Sequence, residues 1–285
     1  MTTRSIGALL REWRQRRRLT QLDLASMAEV SARHLCFLET GRARPSRDMI
    51  LRLAETLQVP LRDRNILLDA AGFSCAFSER PLADLKVVLD AIAVVLRGHE
   101  PFPAFAIDRH WTLVASNHEF APFMGEVDPA LLQPPVNVLR LTLSPKGLAP
   151  RLANYRQWRT HVTDKLRGQI RASGDPVLIE LLAELSAFTP PETAVDVERP
   201  PVGPEWHKLV VPFQLMTESG ILSFFTTTTI FGTPVDITLA EISLESFYPA
   251  DAATAETIMS MAKLGKSNVR DSGGLDSDTR ILPPR

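Results

Sequence analysis

Apolar side chains recur at Ile6, Leu9, Leu10 and Trp13, the spacing of one helical face, so the chain opens on an amphipathic helix. Thr20 is placed to cap a second helix, with Asp23 in its first turn. Ser31 is placed to cap a third, which runs to Gly41, a residue suited to a left-handed helix ending. Pro45-Ser46 breaks the chain and caps a fourth helix carrying Ile50, Leu53 and Leu57, closed by Val59-Pro60. Leu61 to Ala71 is a fifth, stopped by Gly72. Nothing in these 72 residues alternates with the period of a strand, so they predict an all-α domain over 1–72.

After a join at Phe73–Pro81, residues 82–98 form an apolar helix ended by Gly98. The pattern then changes. Phe102–Asp108 and Trp111–Ser116 are short runs rich in β-formers, with Asp108-Arg109-His110 as the turn of a hairpin. Asn117 is placed to cap a short helix through Met124. Residues 136–188 read as helical, with Ser144-Pro145 opening a long helix through Ala172 and Pro176 starting another near Phe188. Residues 189–205 are proline-rich and read as a loop. Three strands follow. Leu209–Leu215 contains Pro212, which favours an edge. Ile221–Phe231 is β-branched and aromatic, and Glu241–Tyr248 alternates. Two strands early, helices between and three strands late predict an α+β domain over 82–264, with a five-stranded antiparallel sheet and a last helix near 252–264. Residues 265–285 are polar and Gly/Ser/Asp-rich and read as a disordered tail.

With 285 residues, two domains are the expected number. Apolar residues at 45% and charged residues at 23% are ordinary globular usage. No apolar run reaches the roughly 18 residues of a membrane helix and no signal segment opens the chain, so a soluble, cytoplasmic protein with no membrane partner is expected. Cys36 and Cys75 alone make neither a disulfide framework nor a zinc site. The net charge of −1 hides an asymmetry. Residues 1–80 hold fourteen Arg, no Lys and nine acidic residues, a balance of +5, against eighteen basic and twenty-four acidic in the rest, −6. A basic head on an acidic body suggests that only the head meets a polyanion.

Gln21 to Gly41 carries the sharpest signal. Ala25 is small enough for two helices to cross closely, and Leu35 and Leu38 both face inward. Ala32, Arg33, Cys36 and Phe37 then face outward, as on a helix built to enter a major groove. In Gln21, Ala25, Val30-Ser31, Leu35, Leu38-Glu39 and Gly41 the segment resembles the helix-turn-helix of the Cro/repressor-like regulators. It departs in the turn, where Glu29 stands in place of Gly; a left-handed conformation there costs roughly 1 kcal/mol. The resemblance implies a double-stranded DNA operator as partner. Gln21 would bond a phosphate, Ala32 and Arg33 would reach base edges with Phe37 one turn on, and Arg42 and Arg44 would hold the backbone. Ser31 opens the helix and His34 lies at its flank, as much a half-exposed surface histidine as a contact. Arg16-Arg17-Arg18 reads as a solvated helix end.

The body offers no catalytic spacing. Six histidines are scattered, with no His-Glu-x-x-His, Cys-x-x-Cys, Gly-x-Gly-x-x-Gly or Gly-x-Ser-x-Gly, so no enzyme and no cofactor are expected. Ten of 13 Phe lie beyond residue 81. Phe105, Phe120, Phe123, Phe213, Phe224 and Phe225 fit either an ordinary aromatic core or an apolar cavity.

The stretches His34–Ser46, Asn137-Val-Leu-Arg-Leu, Gly220-Ile-Leu-Ser-Phe-Phe, Phe231–Ile242 and Glu245–Asp251 together resemble the MmyB-like regulators, a repressor-type head joined to a PAS-like domain. That resemblance implies a dimeric sensor that holds a fatty acid or other small apolar molecule. The candidate residues toward such a ligand are Phe105, Asn117, Phe120, Arg140, Trp158, Phe213, Phe224, Thr226 and Thr228. Asn117 is equally a helix cap, Arg140 needs a charge partner if buried, and Trp158 is equally core. Two rival readings are an enzyme with an accessory DNA-binding head and a protein adaptor whose helical head binds no DNA.

Overall fold

The computed structural model describes residues 4–81, 86–192, 210–232, 234, 236–271 and 279–281. Contacts divide the chain into two compact units, one centred on the head and one on the body.

The head is the predicted set of five helices: α1 (Ile6–Arg16), α2 (Gln21–Met27), α3 (Ala32–Glu39), α4 (Arg47–Thr56) and α5 (Leu61–Ala70). Thr20, Ser31 and Ser46 cap three of them as expected, each accepting the N–H three residues on, and Ser5 caps α1 in the same way. Thr20 and Asp23 form a reciprocal capping box. All five helices end alike. A residue in the left-handed region follows the last turn (Arg18, Glu29, Gly41, Gln58, Gly72), and the next residue's N–H reaches back five positions. Examples are Leu19 to Arg14, Val30 to Ala25 and Val59 to Ala54. Glu29 therefore adopts the strained turn conformation at φ +55°.

Leu10, Trp13, Leu24, Ala25, Leu35, Leu38, Ile50, Leu53 and Leu67 form one core. Ala25 is buried where a small residue was expected. Gly7 adds a second close approach, because a methyl there would strike the carbonyl oxygens of Leu38 and Glu39 at the end of α3. Arg17 is more than a solvated helix end, since it donates to the Leu57 and Gln58 carbonyls that close α4.

The body begins with α6 (Lys86–Gly98); residues 82–85 of the expected helix lie outside the described residues. The sheet contains β1 (Ala104–Ile107), β2 (Leu113–Asn117), β3 (Phe213–Thr217), β4 (Gly220–Ile230) and β5 (Ser243–Pro249). A short β6 (Thr279–Ile281) extends it to six strands in the order β3-β4-β5-β1-β2-β6, every pair antiparallel. The five expected strands and their helices make the PAS-like α+β fold. The hairpin turn forms because the Asp108 carboxylate accepts the N–H groups of His110 and Thr112 at 2.8 Å each. Pro212 precedes the edge strand β3, as its missing donor requires, while Leu209 lies outside the described residues.

The helical region between differs in detail. Asn137, not Ser144, is the effective cap, accepting the Leu139 and Arg140 N–H groups at the start of α7 (Val138–Leu143). Ser144 ends α7. A 3-10 turn at Ala149–Arg151 follows, and the long helix α8 (Tyr155–Ser173) starts only after it. Pro150 and the turn residues before it interrupt the apolar periodicity that had suggested one helix from Leu148. Asp175-Pro176 opens α9 (Pro176–Ala187). After α10 (Ile237–Ala240) and β5, α11 (Ala252–Asp271) runs past the expected end. The tail read as disordered thus supplies the end of α11 and β6, and its other positions lie outside the described residues, as do 193–205 of the proline-rich loop.

One sheet face is sealed. Leu89, Ile92 and Leu96 of α6 pack on Ala104, Ala106, Val114, Ala115 and Leu244. The other face carries the site.

Candidate functional site

On α3, Leu35 and Leu38 are fully inside the core, and Arg33 is exposed on the opposite side. The Arg33 guanidinium lies 5.5 Å from the centroid of the half-buried Phe37 ring, one turn on. Arg42 and Arg44 are exposed just past the helix, and among the described residues no hydrogen bond or ion pair engages the side chains of Arg33, Arg42 or Arg44. These three are free cations beside one helix face. Ala32 leans partly onto the core, His34 is half-buried, and Ser31 Oγ is occupied as the cap of the His34 N–H. Gln21 is also engaged, its amide donating to Glu39 at 2.8 Å.

Glu39 ends α3 and is buried. Arg14 of α1 grips it through two bonds, Nε to Oε1 at 2.6 Å and Nη2 to Oε2 at 2.8 Å, and donates Nη1 to the Leu19 carbonyl. Burial pushes the Glu39 carboxyl up, but the Arg14 and Gln21 donors outweigh it and hold it below its ordinary value. This network ties α1, the start of α2 and the end of α3 together, and so fixes the angle at which α3 is presented.

The body holds an aromatic cleft of about 820 Å³, counting its open mouth. Its floor follows from strand register. Phe105 of β1 stands opposite Glu245 of β5, which stands opposite Thr228 of β4. Thr226 is opposite Phe247, and Phe224 opposite Phe213. Residues directly opposite share a face, so the register brings four phenylalanines together. Phe105–Phe247, Phe213–Phe247 and Phe224–Phe247 have ring centroids 5.6, 5.6 and 6.1 Å apart. The 3-10 turn His118–Met124 brings Phe120 to 5.2 Å from Phe105 and Phe123 to 6.2 Å from Phe224. Leu139 of α7 and Trp158 and Val162 of α8 close the walls.

Six of the nine expected ligand residues line this cleft: Phe105, Phe120, Trp158, Phe213, Phe224 and Thr226. The other three serve the protein itself. Asn117, 1% exposed, accepts from the Ala104 N–H and donates to the Phe102 and Leu96 carbonyls; despite its position it makes no cap bond to the turn that follows. Arg140 is exposed and forks onto Glu184, with contacts of 2.7–3.0 Å. Thr228 donates to Glu245 at 2.9 Å.

Sequence reasoning missed the polar end of the cleft: His161 and Lys165 of α8 and Glu245 of β5. Lys165 Nζ donates to Glu245 at 2.8 Å and to Thr228 Oγ1 at 3.1 Å. Trp158, His161, Val162 and Lys165 are spaced i, i+3, i+4, i+7, so the helical stripe through Trp158 was the available signal.

Two family profiles match the chain. One, described as the MmyB-like transcription regulator ligand binding domain, matches residues 88–260. The other, a helix-turn-helix domain, matches residues 5–67. No curated protein sequence matches. Among solved structures, "Structure of an RNA-binding Light-Oxygen-Voltage Receptor" aligns at 12% identity over 93% of this chain, with a TM-score of 0.23. The chain spans 64% of that structure's length. At that score the likeness carries nothing about fold or function.

Proposed function

The chain belongs to the MmyB-like transcription regulators, a DNA-binding head with a ligand-binding body, and from that premise we propose that α3 reads a specific operator while the aromatic cleft holds a small apolar or lipid-like molecule that sets the head's affinity for DNA. The observation that carries the reading is the outward, unpaired Arg33 on a helix whose inward leucines are fully buried. A guanidinium so placed can fork onto the O6 and N7 of guanine, with Phe37 holding it upright. Arg42 and Arg44 supply phosphate contacts, which orient the head without reading sequence. Gln21 acts through Glu39, by setting the tilt of α3.

The body's part rests on the cleft. It is walled by phenylalanines and leucines and has a few polar groups at one end, the make-up of a small-molecule site. A fatty acid is the simplest lipid-like candidate. The ligand changes DNA affinity only if it binds the DNA-competent and incompetent forms unequally. The protein acts as a homodimer reading two half-sites about one helical turn, roughly 34 Å, apart.

The test is fluorescence anisotropy of full-length protein on duplexes from its own promoter and on scrambled duplexes across a salt series. Binding should favour one sequence and weaken steeply with salt. Arg33→Ala should cost roughly 1–3 kcal/mol on that sequence and little on the scrambled one, whereas Arg42→Ala should weaken both alike. Equal loss on both duplexes for Arg33→Ala would remove it from base reading.

A further inference from the structure

Helix α6 is apolar on two faces. Leu89, Ile92 and Leu96 are buried against the sheet. On the opposite side Val87 and Val94 are 81% and 61% exposed, and Val95 beside them is 46% exposed. Ala91 and Gly98 are exposed on the same side. A single exposed valine is ordinary, but a contiguous apolar stripe marks an interaction surface. A helix that is apolar all round belongs in an interior, so this second face is one that a partner covers.

The stripe itself says which partner. Val87, Ala91, Val94 and Gly98 are spaced i, i+4, i+7, i+11, the seam of a coiled coil. Its flanks differ. Val88 and Val95 lie along one side, Asp90 and Arg97 along the other. Among the described residues neither Asp90 nor Arg97 has a hydrogen bond or ion pair. Seven residues of helix separate them by about 10 Å along the axis, too far for the two to pair within one chain. Laid antiparallel on a second copy, they do pair. Setting Ala91 against the partner's Val94 brings Asp90 beside the partner's Arg97, and the two-fold axis repeats each contact. Val88 then meets the partner's Val95, and Val87 meets the partner's Gly98, where a β-carbon would touch nothing within 4 Å and a valine has room. Parallel pairing sets Asp90 against the partner's Val95 and leaves both charges unanswered.

We propose that the outer face of α6 is the dimer interface, seating the antiparallel α6 of a second copy of this chain. This rests on the homodimer reading and gives it a surface and a register. The small Ala91 and Gly98 let the two axes approach closely, and the Asp90–Arg97 pairs fix the direction.

The experiment is sedimentation velocity of the full-length protein over a concentration series. The unmodified protein should dimerise. Val94→Glu puts two carboxylates into the seam and should raise the dimer Kd by about a hundredfold. Asp90→Arg sets like charges together on both flanks and should raise it by about tenfold, whereas Asp90→Arg combined with Arg97→Asp should restore the original value. All three side chains are exposed, so urea midpoints should match the unmodified protein at a concentration where each is monomeric. A dimer indifferent to Val94→Glu overturns the proposal and leaves the homodimer reading standing. A double reversal that fails to recover affinity overturns the antiparallel register, and the proposal with it. Unmodified protein that stays monomeric throughout overturns the homodimer reading itself.

Discussion

Gln21 Nε2 and Glu39 Oε2 are 2.8 Å apart, joining the first residue of α2 to the last of α3. Arg14 completes the arrangement from α1. A residue whose place at a helix start suggested a phosphate contact is thus built into the joint between α2 and α3.

That placement separates two roles by salt dependence. Removing a phosphate contact lowers the slope of log K against log salt by about one, whereas removing a positioning bond weakens binding and leaves the slope in place. Gln21→Ala should weaken operator binding with an unchanged slope, and Arg42→Ala should reduce the slope. Anisotropy titrations at four salt concentrations distinguish them. A reduced slope for Gln21→Ala would return it to the phosphate backbone.

The Arg14–Glu39 pair should dominate the stability of the head. Their side chains are 11% and 2% exposed, so deleting one partner leaves a buried charge unanswered. Glu39→Leu should cost about 3–5 kcal/mol in urea unfolding, and adding Arg14→Met should recover much of it. The sign of the pH effect follows from the lowered carboxyl. Glu39 contributes stability above its unfolded value, 4.5, and that contribution is lost as pH falls from there through the lower folded value. The head of the unmodified protein should lose stability across that acid window, and the Glu39→Leu variant should lose less there.

Local signals were legible and distant partners were not. Thr20, Ser31 and Ser46 cap helices because a cap needs only the next three residues. Phe105, Phe213 and Phe224 line the cleft, one of the two placements their chemistry left open. Arg140 and Glu184 are 44 positions apart, so no spacing rule joins them. Lys165 and Glu245 meet only once α8 lies over β5. Thr226 and Thr228 share a strand face as read, but Thr226 lines the cleft while Thr228 is taken up by Glu245, a difference set by the β4–β5 register.

Asn117 carries a consequence of the same kind. Its amide closes three backbone groups across the start of β1 and the end of α6. Asn117→Ala strands the buried Ala104 N–H and should destabilise the body by about 1–3 kcal/mol. Since Asn117 does not line the cleft, affinity of the folded fraction for the apolar fluorophore 1-N-phenylnaphthylamine should be unchanged. Lost affinity with intact stability would make it a ligand residue after all.

Glu29 and Gly41 occupy the same place at the ends of consecutive helices, with φ of +55° and +73°. A β-carbon in that region strains the backbone by roughly 1–2 kcal/mol, whereas glycine is free of the strain but loses more entropy on folding, by roughly 0.5–1 kcal/mol. Glu29→Gly should therefore stabilise the head, by about 0.5–1 kcal/mol net. Gly41→Ala should do the reverse by a similar amount, and a β-carbon there would meet nothing within 4 Å, so the change reads backbone strain alone. Both effects should appear in urea midpoints at constant slope. If Glu29→Gly destabilised the head, the Glu29 side chain would have to contribute more than its backbone costs, and the turn between α2 and α3 would owe its geometry to that side chain.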